Sequence, residues 1–380
     1  MRLLAKAAIA VACILMAACQ SDKAAIEHEI RTLSLREKAG MLFIVRPEAL
    51  DPSISYERSA DLPAFGLQEV NGRMLETALA YPVGGVVLFA HNIASPEQLL
   101  RFSVSLKALP GHPLLCVDEE GGRVARVAVN PAFDLPRTPD MATLVGEGPR
   151  AVEQAAQEIG RYLSRYGFDI DFAPVADVNT NPANIVIGSR AFSDNPRTAA
   201  RMVVRYLKGL RKGGVLGCLK HFPGHGDTQA DTHFGYAVSE KTWEQMRSCE
   251  MLPFRAGIRA GAPLVMTAHI AAPGVTGNQL PSTLSPAILE GKLRGELGFK
   301  GVIVTDALEM GAITREFAAA DACVRAIRAG ADMLLCVKDY PAAVDAVVEA
   351  VHRGEITEER LDESVRRIPH LKHLARGKGK

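Results

Sequence analysis

Eight short apolar runs, helix-length amphipathic segments between them, and polar clusters where several runs end together predict an α/β fold, a single (β/α)8 TIM-like barrel. The runs fall at 41–45, 84–89, 114–117, 170–175, 215–219, 264–267, 301–305 and 333–337. Each is nearly continuous in apolar residues rather than alternating, as parallel strands covered on both faces read. Between them the helical period is explicit. Val152, Ala155, Ala156, Ile159, Leu163 and Tyr166 share one face of a helix. Helix starts are marked by Ser34 with Glu37 and by Ser95-Pro96 with Gln98, both of capping-box form. The connection 46–81 is longer than a strand-to-helix unit needs and reads as an excursion over the barrel mouth. A doubly wound open sheet is the alternative topology for the same pattern.

At 380 residues, with 48% hydrophobic residues, 33 Gly and 22 Pro, the chain has the size for one large α/β domain or two small ones. The net charge is +1 and the basic residues are scattered without an aromatic-basic stripe, which argues against a nucleic-acid partner. The N-terminus reads as a leader rather than as fold. Arg2 and Lys6 precede a short apolar stretch, and Leu15-Met16-Ala17-Ala18-Cys19 ends it in lipobox-like form. The expectation is a lipoprotein-type signal peptide at 1–18, a short tether at 19–31 and a catalytic barrel at 32–375, with Cys19 acylated. Ordinary cleavage and free secretion are the alternative. Losing Arg2 and Lys6 with the leader leaves 42 basic against 43 acidic side chains, so an anchor rather than net charge would hold the mature chain to a membrane. Five cysteines follow Cys19 at wide spacing, which is no disulfide framework. Cys116, Cys218 and Cys336 fall in apolar runs and read as small buried hydrophobes. A monomer is expected.

The most informative segment is 220–235, which carries His221, His225 and His233 with Asp227 and Asp231 among glycines, directly after the fifth run. No core requires that density of titratable groups, and active sites of this fold lie at the C-terminal ends of strands. Other runs end the same way. The third leads into Asp118-Glu119-Glu120-Gly121-Gly122-Arg123 with Arg126 beyond, the fourth into Asp177, the sixth into His269 and the seventh into Asp306 and Glu309. A single aspartate after a strand is usually a helix cap, but the repetition is not explained that way. His221, His225, Asp231 and His233 are also the residue types of a metallohydrolase. Such enzymes place His-x-His after their first strand, where this chain has Val45-Arg46-Pro47, so no metal and no other cofactor is expected. A wall-sugar binding protein without catalysis is the third reading.

Three motifs carry a family resemblance. Lys220-His221-Phe222-Pro223-Gly224-His225-Gly226 with Asp231-Thr232-His233, Asp118 through Arg126, and Val304-Thr305-Asp306-Ala307-Leu308-Glu309-Met310 resemble the single-domain bacterial β-N-acetylglucosaminidases (β-hexosaminidases) of glycoside hydrolase family 3, over about 33–372. The resemblance implies a retaining, exo-acting hydrolase of terminal β-linked N-acetylglucosamine, from peptidoglycan fragments or chitin oligomers. It makes Asp306 the nucleophile and His233, oriented by Asp231, the acid/base. It assigns Asp118, Arg126, Arg190, Lys220 and His221 to the sugar. Glu119 and Glu120 occupy positions that vary in the family, and no role follows for them.

Overall fold

The computed structural model describes residues 27–28, 30–60, 65–228 and 237–377. The leader, Cys19, Asp231 and His233 lie outside the described residues.

All eight expected strands are present: β1 (Phe43–Val45), β2 (Gly85–Leu88), β3 (Leu114–Val117), β4 (Ile170–Asp171), β5 (Leu216–Phe222), β6 (Leu264–Thr267), β7 (Val302–Val304) and β8 (Leu334–Leu335). Their neighbours pair in parallel in chain order from β1 to β7, and β8 pairs with β1 (Phe43 opposite Leu334). A parallel bridge from Val304 to Met333 joins β7 to β8. The Thr305 N–H donates to the Met333 carbonyl at 3.0 Å beside it. The sheet is therefore a closed barrel, and the open-sheet alternative is excluded. Every barrel strand is buried along its length, as continuous apolar runs require. Outside the barrel, Ala237–Val238 pairs with Ile270–Ala271 in a small second sheet that the apolar pattern did not announce.

Local signals act largely as read. Ser34 and Glu37 form a reciprocal capping box. Ser95 accepts from the Gln98 N–H at 3.2 Å, but the Gln98 side chain turns to the Ala94 N–H at 2.9 Å, so this box is half formed. Helix Pro149–Arg165 buries Val152, Ala156, Ile159 and Leu163. It lies against helix Pro196–Gly213 at a spacing only glycine allows: a Cβ on Gly209 or Gly213 would run into the carbonyls of Glu153 or Gln157. That contact sets the positions of β4 and β5, whose ends carry much of the site. In the 46–81 connection, Gly72–Ala80 is a helix capped by Asn71, and only the part before it is excursion.

The fold begins earlier than the expected boundary of 32. Residues 27, 28 and 30–32 are helical, Ile30 is 1% exposed, and Glu27 accepts from Arg366 at 2.7 Å. Residues 27, 28, 30 and 31 of the expected 19–31 tether are thus part of the structure. Helix Glu358–Arg376 crosses the N-terminal face of the barrel, burying Leu361, Val365, Ile368 and Leu371 at helical spacing. Asp332, at the start of β8, fastens it. Asp332 is fully buried and accepts from Arg367 at 2.7 Å, Ser364 at 2.8 Å, the Ile303 N–H at 2.8 Å, and Arg294. Asp332→Ala leaves these cations facing a cavity, and a loss of ~3–5 kcal/mol is expected, against a smaller loss for Asp332→Asn. Urea unfolding of both variants measures the difference; equal, small losses would show that the fastening is incidental.

Candidate active site

The strand ends carry their polar groups to one mouth, and at its centre the ions alternate in sign. Asp118 and Glu120 follow β3, and the Lys220 ammonium, on β5, donates to Asp118 at 2.7 Å and lies 2.5 Å from Glu120. Arg190, in the loop after β4, grips the same Glu120 carboxylate with two nitrogens at 2.9 and 2.8 Å. Arg190 Nη2 then faces His221 Nε2 at 3.4 Å, and His221 Nδ1 meets Asp177 at 2.7 Å. Because a carboxylate only accepts, His221 donates through Nδ1 to Asp177. Of the sugar residues expected from the sequence, Asp118, Lys220, Arg190 and His221 thus form one connected network. Arg126 stands apart from it; its guanidinium lies over the Phe89 ring at 6.0 Å.

Burial alone would neutralise these groups, and the partners reverse that. Desolvation pushes the Glu120 carboxyl up, but Arg190 and Lys220 pull it well below the usual carboxylate range. Desolvation likewise works against the Lys220 ammonium, and Asp118 and Glu120 outweigh it, holding lysine firmly charged. Asp306, directly after β7, follows the same rule. Burial raises it, while His269, His221, the Ala307 N–H and Lys220 together hold it below its ordinary value. Its Oδ1 accepts from the Ala307 N–H at 2.8 Å. Lys220 and His221 thus act on Asp306 as well as on the β3 carboxylates, which brings the expected nucleophile and the expected sugar residues into one electrostatic unit.

Several residues with positioning roles lie outside the set drawn from the sequence. Glu119, fully buried, accepts from the backbone N–H groups of Arg126, Val127 and Ala128 at 2.5, 2.9 and 2.9 Å and from the Tyr162 hydroxyl at 2.8 Å. It holds the loop that bears Arg126. Asp177 accepts from the His225 N–H at 2.7 Å as well as from His221, and so sets the turn in which both histidines stand. The Gly226 backbone packs so close to the Val178 carbonyl that a Cβ would collide with it. His269, after β6, meets Thr283 through Nδ1 at 2.9 Å and donates through Nε2 to the Ala307 carbonyl at 2.9 Å, fixing the residue next to Asp306. Glu309 pairs with Arg46 at 3.0 Å, joining β7 to β1 across the mouth, and burial pushes its carboxyl up. These residues were visible in the chain as types; partners such as Tyr162, His221, Ala307 and Arg46, 38 or more positions away, were not.

Among the described residues no group of three or more His, Cys, Asp or Glu side chains is arranged to hold a metal ion. His221 and His225 are oriented instead by Asp177 and by Thr228, whose hydroxyl meets His225 Nδ1 at 2.7 Å.

The chain matches the family description "Glycosyl hydrolase family 3 N terminal domain" over residues 16–371. It belongs to glycosyl hydrolase family 3. A "Beta-hexosaminidase" of Stenotrophomonas maltophilia (strain R551-3) is 38% identical over 275 residues, covering 71% of this chain and 80% of that protein. "Beta-hexosaminidase A" of Pseudoalteromonas piscicida is 34% identical over 319 residues, covering 77% of this chain. The solved family 3 β-N-acetylglucosaminidase of Paenibacillus sp. str. FPU-7 superposes with a TM-score of 0.82 at 34% identity over 92% of this chain. This family 3 chain spans 53% of the Pseudoalteromonas protein and 64% of the Paenibacillus one.

The family 3 site makes its own test through Glu120. Its folded-state pKa is lowered, so its stabilising contribution is present above the ordinary value of 4.5 and is lost as pH falls below it. Glu120→Gln keeps the shape and removes the charge. The variant is expected to be ~1.5–3 kcal/mol less stable at neutral pH and to lose less stability than wild type on acidification below that value. Unfolding curves across that range decide it, and parallel pH profiles would remove Glu120 from the network's core.

Proposed function

We propose that the chain is a retaining, exo-acting β-N-acetylhexosaminidase that removes terminal non-reducing N-acetylglucosamine from peptidoglycan fragments or chitin oligomers. The observation that carries this is Asp306. It stands at the end of β7, held ionised by His269, His221 and Lys220, beside the rigid Asp118–Lys220–Glu120–Arg190 network, in a family 3 barrel whose matched relatives bear hexosaminidase names. A carboxylate kept charged while half-buried is suited to attack carbon rather than to donate a proton.

In the proposed reaction Asp306 attacks the anomeric carbon as the bond to the leaving oxygen breaks, and His233 protonates that oxygen. A glycosyl ester on Asp306 results. His233 then takes a proton from water, which attacks the same carbon and frees the Asp306 carboxylate. Asp231 orients the His233 imidazole, as a carboxylate does in hydrolase triads. Asp118, Arg126, Arg190, Lys220 and His221 bind the sugar. All but Arg126 are linked to one another before substrate arrives, so little reorganisation of them accompanies binding.

His233→Ala tests the assignment. With an activated aryl N-acetylglucosaminide the glycosyl ester should form in a burst and turn over ~10²–10⁴-fold more slowly, while a disaccharide, whose leaving group needs the proton, is scarcely cleaved. Mass spectrometry should find the trapped sugar on the peptide bearing Asp306. Equal losses on both substrates without a burst, or activity abolished by chelator, would overturn it.

We also propose that the chain is exported and held to a membrane through an acylated Cys19. Cys19→Ser is expected to shift it from the membrane fraction to precursor or soluble form. Wild-type protein recovered soluble and without a lipid label would end that reading.

A further inference from the structure

All the helices that follow barrel strands run back toward the N-terminal face, so their C-terminal ends collect there, opposite the mouth. Many of those ends are basic: Lys107, Arg165, Lys212, Arg259 and Arg328 lie in last turns, as dipole complementarity favours. The C-terminal helix adds Arg366, Arg367, Lys372 and Arg376, with no acidic residue from 366 to its end. This face also holds an apolar groove of about 770 Å³, between Pro263 and Gly301 at the strand starts and the crossing C-terminal helix, with Ile258, Phe299, Leu371 and Leu374 in its walls. Leu374 is 39% exposed. Ile258 continues the groove into a neighbouring recess lined by Arg255 and Arg259.

Dipole complementarity alone does not explain the set. Arg255 and Lys300 are not in helix last turns, and Arg255, Arg259, Lys300 and Arg376 make no ion pair among the described residues. The carboxylates nearest them are already neutralised: Glu27 by Arg366, Glu296 by Arg247 and Lys292, Asp169 by Lys107. We infer that this basic face with its apolar groove docks on an anionic phospholipid surface. Positive side chains around an exposed apolar strip match phosphate headgroups above acyl chains. The first described residue also lies here, where Glu27 meets Arg366 on the groove wall. Cys19 is eight residues earlier, within about 29 Å of extended chain. The docking surface does not depend on acylation, but an anchor at Cys19 would deliver this same face. Docked so, the barrel presents its mouth away from the bilayer.

The test uses residues 20–380, which lack the leader and Cys19 yet keep every described element. Flotation with phosphatidylglycerol-containing vesicles should carry the protein at low salt and release it at high salt, and neutral phosphatidylcholine vesicles should carry little. Arg255→Glu, Arg259→Glu, Lys300→Glu and Arg376→Glu combined should weaken binding ~tenfold or more. Leu374→Ser should weaken it in its own right. Thermal melts establish that each variant is folded; should the fourfold variant melt early, Lys300→Glu with Arg376→Glu carries the same comparison. Absence of binding at low salt, binding unchanged by the charge reversals, or a dimer through this face that the reversals dissolve would each overturn the inference. Binding is read without turnover, so it fails or stands separately from the proposed hydrolysis.

Discussion

A lysine ammonium that is 2% exposed is the constraint on which the site depends. Left alone at that depth Lys220 would shed its proton or force the strand end open. Asp118 and Glu120 bracket it, and Arg190 closes on the far side of Glu120. Because these groups come from the end of β3, from β5 and from the loop after β4, one sequence of charges holds three adjacent strand ends together. Removal of any member would leave an uncompensated ion in a dry place, which costs far more than the pair contributes in net terms. A hydrophobic plug of equal volume would stabilise the barrel as well. What the ions add is orientation: donors and acceptors fixed at the base of an open mouth.

The network also explains how neighbouring carboxylates take different characters. Glu120 is saturated by cations and serves as a structural anion, whereas Asp118, on the same lysine, keeps a side chain 21% exposed and open to a ligand. Glu119 is saturated by backbone N–H groups. Asp171, fully buried beneath them, is pushed strongly upward by desolvation and accepts the Glu119 N–H. Asp306 has one backbone donor and three cationic or imidazole neighbours at a distance, which keep it ionised without occupying it. Five acidic residues, after β3, in β4 and after β7, thus differ in character through their partners.

That division marks what sequence could and could not convey. The strands were legible because a strand buried on both faces must be apolar throughout, and helix starts because capping is decided within four residues. The mouth was legible because polar groups at strand ends have few structural uses in such number. The assignments within it were not. Glu119 and Glu120 look equivalent in the chain, and only contacts to Tyr162, Lys220 and Arg190, 43 to 100 positions away, separate them. Asp177 and His269 act through partners 44 and 38 residues distant, so no local pattern distinguishes them from a helix cap or a core histidine. The early start of the fold was missed for a similar reason: Glu27 belongs to it through Arg366, 339 residues on.

One geometric rule gives the barrel its electrical polarity. Strands and the helices that follow them alternate in direction around the ring, so each such helix begins near the mouth and ends near the floor, and the partial charges of their peptide dipoles add with the same sign. The mouth therefore favours anions, and Glu120, Asp177 and Asp306 are found there, their carboxyls held below the ordinary value despite burial. The floor favours cations, and basic last turns gather there. The same packing direction that favours carboxylates at the mouth favours basic last turns at the floor, so the two ends of the barrel differ in electrical character for one geometric reason.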